Sequence, residues 1–291
     1  MAFAMPLHFQ DSPRRIPMSQ SSSLAGQVAV VTGSTQGLGE AVARRLAGLG
    51  LAGLVLCGRN RDKGQALADA LSTETCQAVF VAADLGQVAD CRHIIAVADD
   101  HFGRIDVLVN CAGNTERGSL LDTDEAAFDR LFDVNTKAPF FLMQDAAKLM
   151  IREGIEGRMV NILSMSGHGG QPFISAYCGS KGALTTLTRN AAFSLMRNRI
   201  RVNGLNIGWM NTPGEDRIQK TFHGAADDWR AKAEAEQPAG RLLEPMEVAG
   251  GVEFLVTGAS GMMSGAIIDF DQQVLGCYED TPQPQAAMSL S

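Results

Sequence analysis

Two side chains four residues apart, Tyr177 and Lys181, could together move a proton. In a helix this spacing places both on one face, so the ammonium lies near the phenol. A free tyrosine has a pKa of about 10 and shuttles protons poorly at neutral pH, but a neighbouring cation stabilises the phenolate. The pair therefore predicts a general acid/base, although Tyr-x-x-x-Lys also occurs by chance in many helices.

A serine could complete such a site. Ser164 follows the apolar run 159–163, and the carboxyl ends of parallel strands lie beside bound ligands. Its hydroxyl could donate to a substrate oxygen. It could also be an ordinary turn serine, and Ser166 is a rival for the role.

Asn135 lies inside a helical pattern, where asparagine is unfavourable unless its polar group is used. Pro139 has no N–H to donate to the Asn135 carbonyl, so we expect a kink with one free acceptor. Water leading towards Lys181 could fill that position. The alternative is that Pro139 only bends the helix to fit the sheet.

A glycine-rich segment, residues 32–39, follows the apolar run 28–31 and precedes a helical pattern. Glycines allow a tight turn and close approach to phosphates, and N–H groups at the helix start attract negative charge. Such a turn alone also marks ordinary loops. Strand, turn and helix together predict a dinucleotide site with contacts from Gly33, Ser34, Gln36, Gly37, Leu38 and Gly39.

The end of the second predicted strand favours NADP(H), with NAD(H) as the alternative. A carboxylate there would bind the ribose 2′-hydroxyl of NAD, whereas arginine accommodates the 2′-phosphate of NADP. The strand ends in Arg59 and Asn60, which we expect at the ribose; alternatively, Arg59 only covers the strand on the solvent side. Asp84 with Leu85 could hold the adenine, although Asp84 could equally be a helix N-cap.

From Gln27 onward, short β-rich apolar runs alternate with helix-periodic stretches. This alternation predicts one doubly wound, Rossmann-type α/β domain over residues 25–275, with a seven-stranded parallel sheet and helices on both faces. Flexible tails are expected at 1–24 and 276–291. The one long irregular stretch, 209–245, is expected to form a substrate lid. The predicted strands are 27–32, 53–58, 78–83, 105–110, 158–164, 200–206 and 265–270; the predicted helices are 38–49, 62–73, 87–102, 124–152, 176–197 and 246–257.

The composition restricts the partners. A net charge of −7 without a basic block argues against nucleic acid and anionic membranes and favours a small-molecule substrate. The six cysteines show no Cys-x-x-Cys pair and no histidine at metal-ligand spacing, so we expect reduced thiols, no metal site and a cytoplasmic protein. No apolar run reaches the length of a membrane span, and no signal peptide is expected.

In combination these motifs resemble the short-chain dehydrogenase/reductase family over roughly residues 25–275. The family's glycine motif is matched at residues 32–39, with Thr32 first. Its Asn-Asn-Ala-Gly motif is matched by Asn110-Cys111-Ala112-Gly113, and its Asn-Ser-Tyr-Lys tetrad by Asn135, Ser164, Tyr177 and Lys181.

The resemblance implies a role for each tetrad residue. Tyr177 would be the general acid or base, Ser164 would polarise the carbonyl, and Asn135 would support a water relay. Lys181 would bind the nicotinamide ribose and lower the Tyr177 pKa. The resemblance also implies a homo-oligomer, a dimer or a tetramer, that pairs the helices at 124–152 and 176–197. The further cofactor contacts would come from Asn110, Ala112, Gly113, Tyr177, Lys181, Gly208, Met210 and Thr212.

Two departures from the family pattern leave the substrate open. Ile207 stands where the family usually has proline, and Asp269-Phe270-Asp271 replaces the usual Asp-Gly-Gly. The lid composition could suit a sugar, a polyol, a hydroxy acid or a cyclic ketone. We therefore expect hydride transfer between NADP(H) and a carbonyl or secondary alcohol. The alternative is a non-catalytic NADP-binding redox sensor, which would not require Ser164, Tyr177 and Lys181 together.

Overall fold

A computed structural model describes residues 23–277 and 287–288, so the expected tails lie almost entirely outside the described residues. Leu24 is a correction to the N-terminal boundary: its side chain is fully buried in the core, and its N–H donates to the Leu49 carbonyl. The packed domain therefore begins one residue before the predicted start at 25.

Seven parallel strands form one sheet in the order β3-β2-β1-β4-β5-β6-β7, which confirms the predicted fold. All predicted strands form, with bounds within two residues of those expected. They are β1 (Val28–Val31), β2 (Gly53–Gly58), β3 (Gln77–Ala82), β4 (Val107–Asn110), β5 (Arg158–Ser164), β6 (Arg201–Ile207) and β7 (Ile267–Phe270).

Helices cover both faces of this sheet. They are α1 (Gly37–Ala47), α2 (Arg61–Leu71), α3 (Val88–Phe102), α4 (Glu125–Phe132), α5 (Ala138–Arg152), α6 (Ser175–Leu195), α7 (Pro213–Phe222), α8 (Trp229–Ala235) and α9 (Pro245–Val256). The strand β1 shows why two layers are needed. Ala29 and Val31 pack with α1, α2 and α9, whereas Val30 packs on the opposite face with α3 and α5. Successive residues of a strand point to opposite faces, so an all-apolar strand must be buried on both.

The topology also indicates where a ligand can bind. The chain runs outward from β1 through β2 to β3, and β4 then returns to the other side of β1. The loops that follow β1 and β4 therefore diverge at the carboxyl edge of the sheet. This divergence opens the crevice in which doubly wound folds bind their ligands.

Two predicted elements are wrong in detail. The helix expected at 124–152 is divided by a π-helical turn, Asp133–Lys137, with Pro139 in the first turn of α5. Pro139 lies where the π-helical turn passes into α5: the preceding Ala138 N–H still donates to the Asp133 carbonyl, and proline has no N–H that needs such a partner. The stretch 209–245 is not wholly irregular, because it contains α7 and α8. Among the residues covered by the structure, no helix is long and apolar enough to cross a membrane.

Candidate active site

A cleft of about 1580 Å³ follows the carboxyl edge of the sheet. It is bounded by the loops after β1, β2, β4 and β5 and by the lid helix α7. Most residues predicted from the sequence lie in its wall, so one continuous surface joins the glycine turn to the tyrosine. The predicted residues in the wall are Gly33, Gln36, Gly37, Leu38, Gly39, Arg59, Asp84, Leu85, Ala112, Gly113, Ser164, Tyr177, Lys181, Gly208, Met210 and Thr212.

The turn between β1 and α1 fits a pyrophosphate. Gly33 and Gly37 have φ of 63° and 57°, a backbone conformation that favours glycine. At Gly39 a Cβ atom would lie 2.2 Å from the Gly33 carbonyl oxygen, so the turn requires glycine there as well. No side chain caps the start of α1, so its first backbone N–H groups have no side-chain acceptor. Such free donors at a helix N-terminus favour phosphate oxygens.

Ser34 departs from its expected role as a cofactor contact. Its side chain is fully buried, and its hydroxyl donates to the Cys57 carbonyl of β2 at 3.2 Å. Thr35, which the sequence analysis did not select, lies in the cleft wall instead. The two residues differ because adjacent side chains in this turn point to opposite sides.

Arg59 is exposed at the carboxyl end of β2 and forms no ion pair with any residue that the structure describes. Its guanidinium is therefore available at the cleft edge. Asn60 lies outside the wall, since its side chain accepts from the Lys63 N–H and caps α2. Asp84 does line the cleft, and its carboxylate accepts from the Gly86 N–H at 3.0 Å. The alternative that Asp84 caps the next helix is wrong, because Gln87 holds the N-cap position of α3.

Asn110 is a second expected cofactor contact that lies elsewhere. It is 2% exposed, does not line the cleft, and donates to the Asn161 side chain of β5 at 2.8 Å. Asn161 in turn donates to Thr188 of α6. This buried network joins β4, β5 and α6 beneath the site. Asn110 thus helps to position the site residues and does not line the surface that a ligand would contact.

Ser164, Tyr177 and Lys181 meet at one end of the cleft, and all three are buried. The Lys181 Nζ donates to the Ile162 carbonyl at 2.8 Å and lies 5.9 Å from the centre of the Tyr177 ring. The Ser164 Oγ accepts from the Ser166 N–H at 3.1 Å, which leaves its own hydrogen free to be donated. This geometry favours Ser164 over Ser166 beside the phenol.

Burial changes the pKa values of Tyr177 and Lys181. It raises the pKa of Tyr177, while the Ser164 hydroxyl and the Arg117 guanidinium act in the opposite direction. Ser164 and Arg117 thus add to the cation expected beside the phenol, and the effect of Lys181 on this pKa stays a prediction. Burial also lowers the pKa of Lys181 to about 8, partly offset by Cys111. At neutral pH the site thus holds a neutral phenol near an ammonium.

Asn135 joins the loop after β4 to helix α6 instead of lining the cleft. Its fully buried amide accepts from the Asn114 N–H at 2.8 Å and donates to the Asn114 carbonyl at 2.8 Å. It also donates to the Ser180 hydroxyl at 3.0 Å, and Ser180 donates to the Tyr177 carbonyl. The π-helical turn directs the amide into this position, in line with the frequent occurrence of π turns at functional sites. Water between the Asn135 carbonyl and Lys181 stays a prediction.

The loop after β6 approaches the chain that follows β7. A Cβ atom at Gly208 would lie 1.8 Å from the Asp271 carboxylate, so a larger residue there would require the Asp271 side chain to move. The two family departures, Ile207 and Asp271, both line the cleft. Thr212 also lines it, and its hydroxyl accepts from the Glu215 N–H to cap α7. These contacts fix where the lid begins.

Sequence reasoning missed several charged residues of the cleft wall, namely Glu116, Arg117, Arg130 and Asp133. Arg117, in the loop after β4, lines the cleft together with Tyr177. Its position seven residues after Asn110, on a loop at the carboxyl edge of the sheet, was the available signal. The lid residues Glu215 and His223 contact it, so the lid is closed over this end of the cleft. Among the residues that the structure describes, no three or more His, Cys, Asp or Glu side chains are grouped as metal ligands.

Comparison with known proteins agrees with this geometry. The family model described as short chain dehydrogenase matches residues 27–223. An uncharacterized oxidoreductase of Methylorubrum extorquens is 33% identical over 85% of this chain and 97% of its own length. Gluconate 5-dehydrogenase of Gluconobacter oxydans is 34% identical over 86% of this chain and 94% of its own. A solved structure from Beutenbergia cavernae, a candidate NAD(P) dependent gluconate 5-dehydrogenase with NADP bound at low occupancy, has a TM-score of 0.78 and 30% identity. That alignment covers 87% of this chain and 98% of the other.

Proposed function

Because the chain belongs to the short-chain dehydrogenase family, an NAD(P)-dependent oxidoreductase family, we propose that it transfers a hydride between NADP(H) and a carbonyl or secondary alcohol of a small molecule. One observation carries the proposal. Ser164, Tyr177 and Lys181 converge at one end of the cleft that has the glycine turn at its other end. A dinucleotide spanning this cleft would place its nicotinamide beside Tyr177.

The residues divide the chemistry between them. When bound, the nicotinamide supplies the hydride for reduction or accepts it for oxidation. In reduction the Tyr177 hydroxyl gives its proton to the carbonyl oxygen as the carbonyl carbon gains the hydride, and the Ser164 hydroxyl donates to the same oxygen. Tyr177 is left as a phenolate, which the Lys181 ammonium stabilises before a proton is regained. Oxidation reverses each transfer.

The preference for NADP(H) rests on Arg59. A guanidinium at the end of β2 can pair with a 2′-phosphate, and no carboxylate stands at the strand end to repel it. Bound NADP in the Beutenbergia cavernae structure supports the same assignment. NAD(H), which lacks that phosphate, is the weaker alternative.

An assay distinguishes an enzyme from the redox-sensor alternative. A sensor needs the glycine turn but has no use for three converging catalytic side chains, so the convergence favours an enzyme. A panel of ketones, aldehydes and secondary alcohols, each with NADP(H) and NAD(H), is followed by nicotinamide absorbance. We expect turnover with NADP(H). NADP(H) binding in calorimetry without turnover of any compound would favour the sensor.

We further propose a homo-oligomer that works in the cytoplasm on a small molecule, without nucleic acid or membrane. Large apolar side chains are exposed on α4, α5, α6 and the turn that follows α6, which cover the two segments expected to pair. They are Phe128, Phe140, Ile151, Phe193 and Met196. Their burial against a second subunit would remove them from water. Sedimentation should show a dimer or a tetramer, and a stable monomer at micromolar concentration would contradict the proposal.

A further inference from the structure

Arg117 is an arginine inside the cleft rather than on the protein surface. It follows β4, lines the same cavity as Tyr177, and has a side chain that is 15% exposed. Burial lowers its pKa, and the Glu215 carboxylate and the Tyr177 phenol act in the opposite direction. A cation removed from water is costly unless it gains partners, so its presence at this position requires an explanation.

The surrounding side chains fix the guanidinium but do not saturate it. Its Nε donates to the His223 Nε2 at 3.1 Å, and its Nη1 donates to the Thr115 carbonyl at 3.0 Å. The Phe173 ring lies 5.7 Å from its central carbon. Arginine has five N–H groups. Across residues 23–277, the remaining three have no acceptor within hydrogen-bond distance.

The nearby Glu215 carboxylate does not accept a hydrogen bond from these three N–H groups. The Glu215 Oε1 lies 3.8 Å from the Arg117 Nη2, beyond a hydrogen bond. The same oxygen already accepts from the Trp209 indole at 2.9 Å and from the Gln219 amide at 2.8 Å. Glu215 therefore offsets part of the Arg117 charge, while its Oε1 accepts hydrogen bonds from Trp209 and Gln219 instead. The fork of Arg117 stays open towards the cleft.

A carboxylate is the ligand that matches an open guanidinium fork, because two parallel N–H donors fit its two oxygens. We propose that Arg117 binds the carboxylate of an oxo acid or hydroxy acid whose carbonyl or carbinol carbon lies at Tyr177. This inference rests on the proposed function and names its substrate class. His223 and Phe173 act as positioning residues: the His223 imidazole accepts a hydrogen bond from the guanidinium, and the Phe173 ring lies beside it.

The test compares acids with their uncharged esters. Reduction of 2-, 4- and 5-oxohexanoate and of their methyl esters is followed by NADPH absorbance, which also shows the preferred distance between ketone and carboxylate. The variants are Arg117→Met and Arg117→Lys. Arg197→Met is the matched control, because Arg197 is exposed on the turn Met196–Asn198 outside the cleft wall.

We expect kcat/KM of the wild type for its best acid to exceed that for the matching ester by at least about 10-fold. Charge-assisted hydrogen bonds lost in Arg117→Met should lower that ratio by about 10- to 100-fold. Arg117→Lys keeps the charge without the fork and should lie between the two, and Arg197→Met should keep the wild-type ratio. A wild-type ratio at or below one, or a ratio that Arg117→Met leaves unchanged, would overturn the inference.

Failure of the inference and failure of the proposed function give different results. Turnover of the esters without preference for the acids refutes only the carboxylate site. If none of the six compounds is reduced, the proposed function fails for small ketones. Calorimetric titration of 5-oxohexanoate into the protein with NADP⁺ then tests carboxylate binding separately from turnover. Binding that Arg117→Met abolishes supports the inference, and absence of binding to the wild type overturns it.

Discussion

Replacing Asn135 by leucine should loosen the loop after β4 and helix α6, which its amide joins. Leucine has the same number of side-chain heavy atoms, branched at the same position, but can form none of the three hydrogen bonds to Asn114 and Ser180. All three lie at a side chain that is 0% exposed, so water cannot readily replace the lost partner. The variant therefore removes polar contacts without opening a large cavity.

The expected loss of stability follows from the contacts. A net contribution of roughly 1 kcal/mol for each neutral hydrogen bond gives about 3 kcal/mol, and a buried Asn114 N–H left without an acceptor adds to this. Ser180→Ala removes two hydrogen bonds, to Asn135 and to the Tyr177 carbonyl, so it should cost about 2 kcal/mol. A larger loss in Asn135→Leu than in Ser180→Ala is therefore expected.

Activity should fall together with stability. A Cβ atom built at Gly113 would lie 3.7 Å from the Lys181 Nζ, so relaxation of this loop shifts the backbone next to the ammonium. Misplacement by about 1 Å can cost on the order of 100-fold in rate. We expect kcat to fall about 10- to 100-fold, with a smaller change in NADPH affinity. Urea unfolding at fixed protein concentration and steady-state kinetics give both quantities. A loss below about 0.5 kcal/mol with unchanged kcat would refute the role of Asn135.

Two further substitutions test the charges of the site. Arg59→Ala should weaken NADPH binding about 10- to 100-fold and NADH binding little, since NADH has no 2′-phosphate. Arg61→Ala is the control, and equal losses for both cofactors would contradict the assignment. Lys181 has a pKa of about 8 in the folded chain, below the ordinary 10.5, so folding releases protons between these values. The free energy of unfolding of the wild type, relative to Lys181→Met, should therefore rise from pH 8 to pH 10 by on the order of 1 kcal/mol per unit. A flat difference would show that the ammonium is not desolvated.

The sheet and most of the cleft wall were predictable because their signals are local. Buried parallel strands are continuous apolar runs, and the Tyr177/Lys181 spacing acts within one helix turn. The direction in which each side chain points was harder to predict. Ser34 and Asn110 belong to recognised motifs, yet both point away from the cleft, because strand register and buried hydrogen bonds decide which way each side chain faces.

The lid was predicted as irregular because α7 lacks the usual signal. This helix is short and mostly polar, with Ile218 and Phe222 as its only large apolar residues, and none of its residues is buried. The sequence Thr212-Pro213-Gly214-Glu215 does mark a helix start, with a capping hydroxyl and a first-turn proline. Arg117 had no comparable signal. Its place in the site depends on α7 packing against the loop after β4, a contact between residues about a hundred positions apart in the sequence.

The most direct test of the central claim is Tyr177→Phe, measured for both cofactor binding and turnover. Phenylalanine keeps the ring but removes the proton that the carbonyl oxygen must receive. Loss of a general acid/base should lower kcat by about 10²- to 10⁴-fold. NADPH affinity, measured by calorimetry, should change little. Turnover close to that of the wild type, with cofactor still bound, would contradict the mechanism.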